Sequence, residues 1–445
     1  MAWLESLQDP TSQSLYPSTL SFKRKAIAQL LISDMEEPNV THVRKRLRGT
    51  DEESDILLRQ NTAYSSTGST LTIRTSEPAT RPTKTNNTTK KKNLRLQISP
   101  CGLKTRPLSL ESCPPSVYPL LITMSNIVDA VKILPHGRRD EIFASPHCCP
   151  SNNTEGWEHS FKTPAPHGDG QEEALPGRLP TLKEVVAIYK AAEECLKHAH
   201  DEMGWSVEVH HRLLGAVFRT DDNQSVDEFS YAFCTSARPD PGFLPPNASM
   251  RMVDLCIFAE KRHDKDWKRA HLKLARASTT CTVNHTDFQF LQLRPILMGI
   301  ETKSAGKGDE KAHLQIGVWL AAQWEFLVCA ADLSLEETGR DSQESPLTKP
   351  QAEQTLARGK AARARVKELP CIPGLIVEGH EWSLVISTYE KGHTTLWTGI
   401  KFGSTQSIKG VFKIVAGLRE IAAWFRKVYL PWWQKNVLDG FCSAT

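Results

Sequence analysis

The chain has 445 residues, 24% of them charged and 39% hydrophobic, with a net charge of +4. That length makes two or three domains the soft expectation, and a charge so near balance gives no argument of its own for a nucleic-acid partner. Eleven cysteines run from Cys101 to Cys442 without a CxxC pair or a regular framework, which fits thiols in a reducing compartment. The opening MAWLESLQDPTSQS has no apolar run behind a basic end, and no stretch approaches the ~18 uninterrupted apolar residues of a membrane helix. The expectation is a soluble, intracellular protein with no membrane partner.

Residues 1–115 form the first predicted segment, low in apolar periods and rich in Ser, Thr, Asn, Pro and charge. Such a composition cannot bury enough apolar surface to offset the entropy of ordering, so disorder is expected. One short helix is predicted within TLSFKRKAIAQLLISDM. Between Pro78 and Glu111 there is no acid, while Lys90, Lys91, Lys92 and others are basic; a second basic knot is VRKRLRG at Val43–Gly49. Runs like these serve as nuclear import signals, as phosphate-seeking arms, or as plain solvated tails. Residues 116–178 are expected to hold a short helix, marked by Leu121, Met124, Ile127 and Val128, followed by a linker. His147-Cys148-Cys149 in that linker is a weak zinc signal and is read as a loop.

The globular domain is expected over 179–445. It opens with a Thr181-x-x-Glu184 capping box and a helical period. Strands are predicted in DEFSYAFCTSA and SMRMVDLCIFAE, then a charged insertion, KRHDKDWKRAHLKLAR. A further strand is predicted in VNHTDFQFLQLRPILMGIETK and a helix in DEKAHLQIGVWLAAQWEFLVCAA. Ser334 to Glu368 is read as a charged surface loop or helix. GLIVEGHEWSLVISTYE and TTLWTGIKFG are predicted to form a hairpin turning at Gly392. A last amphipathic helix is expected to end at Pro431.

Three acid-x-Lys triplets occur: Asp266-x-Lys268, Glu301-x-Lys303 and Asp309-x-Lys311. Only Glu301-Thr302-Lys303 ends an apolar strand, where alternation puts Glu301 and Lys303 on one face. A rigid strand can hold ligands to the tolerance a metal requires. The plain alternative is a solvent-facing ion pair, worth about 0–1 kcal/mol. Asp254 stands alone among large apolar neighbours in MVDLCIF; a carboxylate there meets a cation or backbone donors, or it faces solvent. Glu208 borders the stripe of Trp205, Val209 and Leu213, and Gln315 lies one turn before Trp319. Each of the last two is more often a core-edge polar residue.

Helix Glu, strand Asp, strand Glu-x-Lys and helix Gln, in this order, resemble the PD-(D/E)XK nuclease superfamily. VNHTDFQFLQLRPILMGIETK and EKAHLQIGVWLAAQW resemble its fungal, largely uncharacterised nuclease-like branch, over about residues 180–435. Two departures stand out: Val253 instead of Pro precedes Asp254, and the stretch from Asp254 to Glu301 is longer than in compact members. The resemblance implies an α/β, restriction-endonuclease-like core, a central mixed sheet flanked by helices. It also implies a metal-dependent nuclease acting on nucleic acid, DNA first. Glu208, Asp254, Glu301, Lys303 and Gln315 would be catalytic, and Asp254, Glu301 and the Thr302 carbonyl would hold Mg²⁺ or Mn²⁺. Lys265, Lys268, Arg269 and Lys273 are candidates for backbone contacts to DNA, set against a plain solvated face. The rival readings are an inactive nuclease fold serving as a binding or regulatory module, and a DNA-binding regulator acting through its N-terminal segment. No GxSxG elbow or comparable Cys/His phrase supports a nucleophile-type hydrolase.

Overall fold

In the computed structural model, residues 95–442 are described, apart from 98, 100, 110, 164–173, 305–308 and 342–350. The expected N-terminal helix, the VRKRLRG knot and the Lys90–Lys92 cluster lie outside these residues. The chain enters through strand β1 (Leu103–Pro107) and helices α1 (Tyr118–Val128), α2 (Arg139–Phe143) and α3 (Leu182–Lys197). The predicted capping box starts α3: Glu184 N–H donates to Thr181 Oγ1, and Thr181 N–H donates to Glu184 Oε2. Helix α4 (Glu202–Trp205) passes through a π turn at Ser206–His210 into α5 (His211–Phe218).

Then come β2 (Phe229–Phe233), β3 (Leu255–Ala259), α6 (Lys265–Ala277) and β4 (Ile296–Lys303). The charged insertion is therefore a helix. Asp264 caps it by accepting from Trp267 N–H at 2.8 Å, and Trp267, Ala270, His271 and Leu274 make its buried stripe. Helices α7 (Asp309–Asp341) and α8 (Gln351–Lys367) carry the chain across to β5 (Ile372–Glu378). Arg358 ties the pair together, meeting Asp332 at 2.9 Å and Glu336 at 3.0 Å. Strands β6 (Glu381–Glu390) and β7 (His393–Ser404) and helices α9 (Ile408–Trp424) and α10 (Leu430–Trp433) complete the order.

The seven strands form one mixed sheet, ordered β1-β7-β6-β5-β4-β3-β2. β4 runs parallel to β5, and β1 parallel to β7, while the other neighbours are antiparallel. A parallel pair needs a long crossover, which α7 and α8 supply. α7 packs on β4, β5, β7 and β1; α9 and α1 pack on β7, and α5 packs on β2. Gly299 lets α7 approach β4, for a Cβ there would sit 3.0 Å from the Trp319 indole. α7 is apolar and long enough to cross a membrane over Glu310–Gly339, but 78% of that apolar window is buried in the fold. It is the core helix of the sheet.

Several expectations need revision. The boundary at residue 179 does not divide the fold, because β1 pairs with β7 and α1 packs on the same strand. The predicted single hairpin arm splits at Gly379-His380 into β5 and β6, which pair with each other. Its turn at Lys391-Gly392 does form, with φ of 50° and 82°, the left-handed pair that a two-residue hairpin loop requires. Pro431 does not end the last helix. It lies in the first turn of α10, just after a π turn at Phe425–Tyr429, where the shifted hydrogen-bond register tolerates its missing N–H. Trp432 and Trp433 are core residues: Trp433 Nε1 donates to His271 Nε2 at 3.2 Å. All eleven cysteines are free.

Candidate active site at the end of β4

The β3–β4 ladder ends at the pair Leu255 and Ile300, one residue after Asp254 and one before Glu301. β4 continues alone beside β5 as far as Lys303. The Asp254 side chain takes over where the ladder stops. Its Oδ2 accepts from Thr302 N–H at 2.7 Å and from Thr302 Oγ1 at 2.9 Å. A strand end that would otherwise leave a donor unmet is thereby closed by a carboxylate. At the other edge of β4, Gly379 N–H donates to the Lys303 carbonyl at 2.9 Å. His210, buried under that turn, donates from Nε2 to the Gly379 carbonyl at 3.3 Å.

Glu301 is fully buried, and neither of its carboxylate oxygens accepts a well-formed hydrogen bond. Lys303 Nζ lies in ion-pair contact with Glu301 Oε1, donates to the Thr302 carbonyl at 2.7 Å and reaches Glu202 Oε1 at 3.5 Å. Burial, joined by the negative charge of Asp254, raises the Glu301 pKa to about 8 in spite of the opposing pull of Lys303. Burial disfavours the charged form of Lys303 too, but Glu301, and then Glu202 and Asp254, hold its pKa above the ordinary lysine value. Three carboxylates crowd one ammonium, leaving the cluster short of positive charge.

The sequence-predicted residues fall in different places. Asp254, Glu301, Thr302 and Lys303 converge at the end of β4. Gln315, half-buried on α7, donates from Nε2 to the Met252 carbonyl at 3.3 Å and so braces the segment that carries Asp254. Glu208 stands apart from them: its carboxylate pairs with Arg212 one turn on, and no contact joins it to the cluster. The acid that α4 brings to Lys303 is Glu202, which sequence reasoning missed. Asp201 and Glu202 look like ordinary helix-start acids, and Asp201 does cap α4 by accepting from Gly204 N–H. In α6, Arg269 pairs with Asp266, and Lys261, just before the helix, lies over the Trp267 ring.

Asp254 Oδ1, the Glu301 carboxylate and the Thr302 carbonyl are hard oxygen donors of the kind Mg²⁺ and Mn²⁺ take, with water filling the remaining positions. A buried carboxylate met by only one charged donor, Lys303, among the described residues fits such an ion. Among the described residues there is no group of three or more His, Cys, Asp or Glu side chains placed to hold a metal. The donor set is thus two carboxylates and a main-chain oxygen.

A mixed sheet with flanking helices, carrying two acids and a lysine at one strand end, defines a nuclease-like α/β protein. The family model of the PD-(D/E)XK nuclease superfamily matches residues 148–430, and the chain belongs to that superfamily. No curated protein and no solved structure matches it.

Proposed function

We propose that this protein is a metal-dependent phosphodiesterase that hydrolyses nucleic acid, with DNA as its substrate. The observation that carries the reading is the buried Glu301 carboxylate, met by the Lys303 ammonium and close to the charge of Asp254 at the end of one strand. A bound Mg²⁺ or Mn²⁺ would supply polarisation of the scissile phosphate and a water of lowered pKa. Asp254, Glu301 and the Thr302 carbonyl would hold it. Lys303 would orient the attacking water and offset the charge that develops on the phosphate. Glu202, not Glu208, is the helix acid we assign to the site, as the second partner that keeps the Lys303 ammonium aimed at the strand end. Gln315 keeps the Asp254 segment in place through the Met252 carbonyl.

The test is cleavage of mixed DNA and RNA substrates with Mg²⁺ or Mn²⁺ by the wild type, Asp254→Ala and Lys303→Ala. Metal-dependent cutting of DNA that both substitutions abolish is the expected result. An inert wild type that still binds nucleic acid would replace the enzyme with a binding module on the same fold.

A further inference from the structure

We propose that the Thr302 hydroxyl is a positioning group that commits Asp254 to one-oxygen ligation of the metal. The inference rests on reading the end of β4 as a metal centre, and it concerns the side chain of Thr302, whereas that reading used only its carbonyl. Asp254 Oδ2 accepts two hydrogen bonds from the same residue, one from the Thr302 main chain and one from its hydroxyl. Two donors on one oxygen fix the rotation of the carboxylate and occupy the Oδ2 lone pairs. Oδ1 is left as the oxygen that can meet a cation. The hydroxyl has its own support: Ser206 Oγ, in the π turn after α4, lies 3.5 Å from Thr302 Oγ1. Because Thr302 donates its proton to Asp254, its oxygen is the acceptor for the Ser206 O–H, so the donors run in one direction toward the carboxylate. π turns inside helices often mark functional sites, and this one places the buried Ser206 against the strand end.

A main-chain N–H alone would hold Oδ2 whatever residue stood at 302. The hydroxyl adds a charge-assisted bond that prevents the carboxylate from turning to a two-oxygen mode or toward Lys303. Outer contacts of this kind set the orientation and basicity of a metal ligand. Valine matches threonine in shape and keeps the N–H, so Thr302→Val removes only the hydroxyl's share.

The experiment is calorimetric titration of Mn²⁺ into the full-length wild type, Thr302→Val, Thr302→Ser and Ser206→Ala, with metal-free thermal unfolding of each. Thr302→Val should weaken Mn²⁺ binding by about ten-fold, the usual scale for an outer-contact loss. Thr302→Ser should restore most of it, and Ser206→Ala should give a smaller loss. Cleavage by Thr302→Val should recover as Mn²⁺ is raised, which a merely misfolded site would not do. If Thr302→Val fails to fold, comparison of Thr302→Ala with Thr302→Ser reads the same hydroxyl. Wild-type affinity in Thr302→Val, or equal losses in the Val and Ser variants, would overturn the proposal and leave the metal centre standing. A wild type that takes up no Mn²⁺ would remove both.

Discussion

Lys303 Nζ touches Glu301 Oε1 and the Thr302 carbonyl, two of the oxygens assigned to a divalent cation. Like charges about 4 Å apart repel by about 4 kcal/mol per unit charge pair at an effective dielectric of 20, so the ammonium and the ion compete for those oxygens. Removing the ammonium should therefore help the metal while ending catalysis. Lys303→Met is expected to bind Mn²⁺ about ten-fold more tightly than wild type, a small part of that repulsion, and to cut nothing. Calorimetry beside a cleavage assay checks both, and unchanged or weaker binding would refute the competition. Glu301 gives a second handle. Its pKa is 4.5 ordinarily and about 8 in the fold. Between those values the folded state keeps a proton that the unfolded state has released, so this group's contribution to stability falls as pH rises from 4.5 to 8. Glu301→Gln should lose that dependence, so its metal-free stability should gain on wild type from pH 5.5 to pH 8 in denaturant melts. A constant difference would show that Glu301 ionises as freely in the fold as outside it.

At the scale of elements, the site depends on how closely α7 lies on β4. Gly299 is the contact point, two residues before Glu301, and Trp319 above it is one turn after Gln315. In Gly299→Ala, the added methyl would meet Trp319 atoms at 3.0 Å and Ile316 at 3.2 Å. Overpacking of this kind costs about 1–3 kcal/mol and shifts the helix. The expected result is a lower melting temperature together with weaker Mn²⁺ binding. A stability loss that leaves metal binding intact would uncouple α7 from the site. β4 itself was legible because a long apolar run ends in Glu-x-Lys, and the turn at Gly392 because left-handed backbone favours glycine. The β5–β6 turn was not. Glu378-Gly379-His380-Glu381 sits between two apolar runs that read together as one strand, and only pairing with β4 and β7 reveals two. Glu202 was hidden in the same way. Its helix is four residues long, too short for a period, and Glu208 beside the Trp205 stripe gave the stronger local signal.

At the scale of the whole molecule, local periodicity located most elements but misjudged what belongs together. β1 is five residues with one buried leucine, and it was grouped with a low-complexity segment because its partner, β7, lies almost 300 residues away. Pairing over that separation leaves no trace in a local window. The same long-range closure buries His380 in the β5–β6 turn and three more histidines in separate regions. The three are His210 under the β5–β6 turn, His271 between α6 and the C-terminal helices, and His285 against Trp319 of α7. Burial lowers the pKa of the first two to about 4 and of His285 to about 3.

Each histidine stays neutral in the fold while the unfolded chain takes up a proton below about pH 6.5, so stability falls as pH drops from 6.5 toward 4. By pH 5 the loss is about 2 kcal/mol per histidine. His285 makes the cleanest test, because neither of its ring nitrogens has a hydrogen-bond partner while His210 and His271 each hold at least one. A buried polar ring without partners forfeits its hydration for nothing in return, so an apolar group of similar size should be tolerated. His285→Leu is expected to match or exceed wild-type stability at pH 7 and to lose part of the acid slope. Denaturant melts at pH 7 and pH 5 measure both. A variant clearly weaker at pH 7 would mean that the ring is held by a buried water or by its contact with Trp319. The acid sensitivity would then rest on His210 and His271, whose hydrogen bonds tie the β5–β6 turn beside Lys303 and the C-terminal helices to the rest of the sheet.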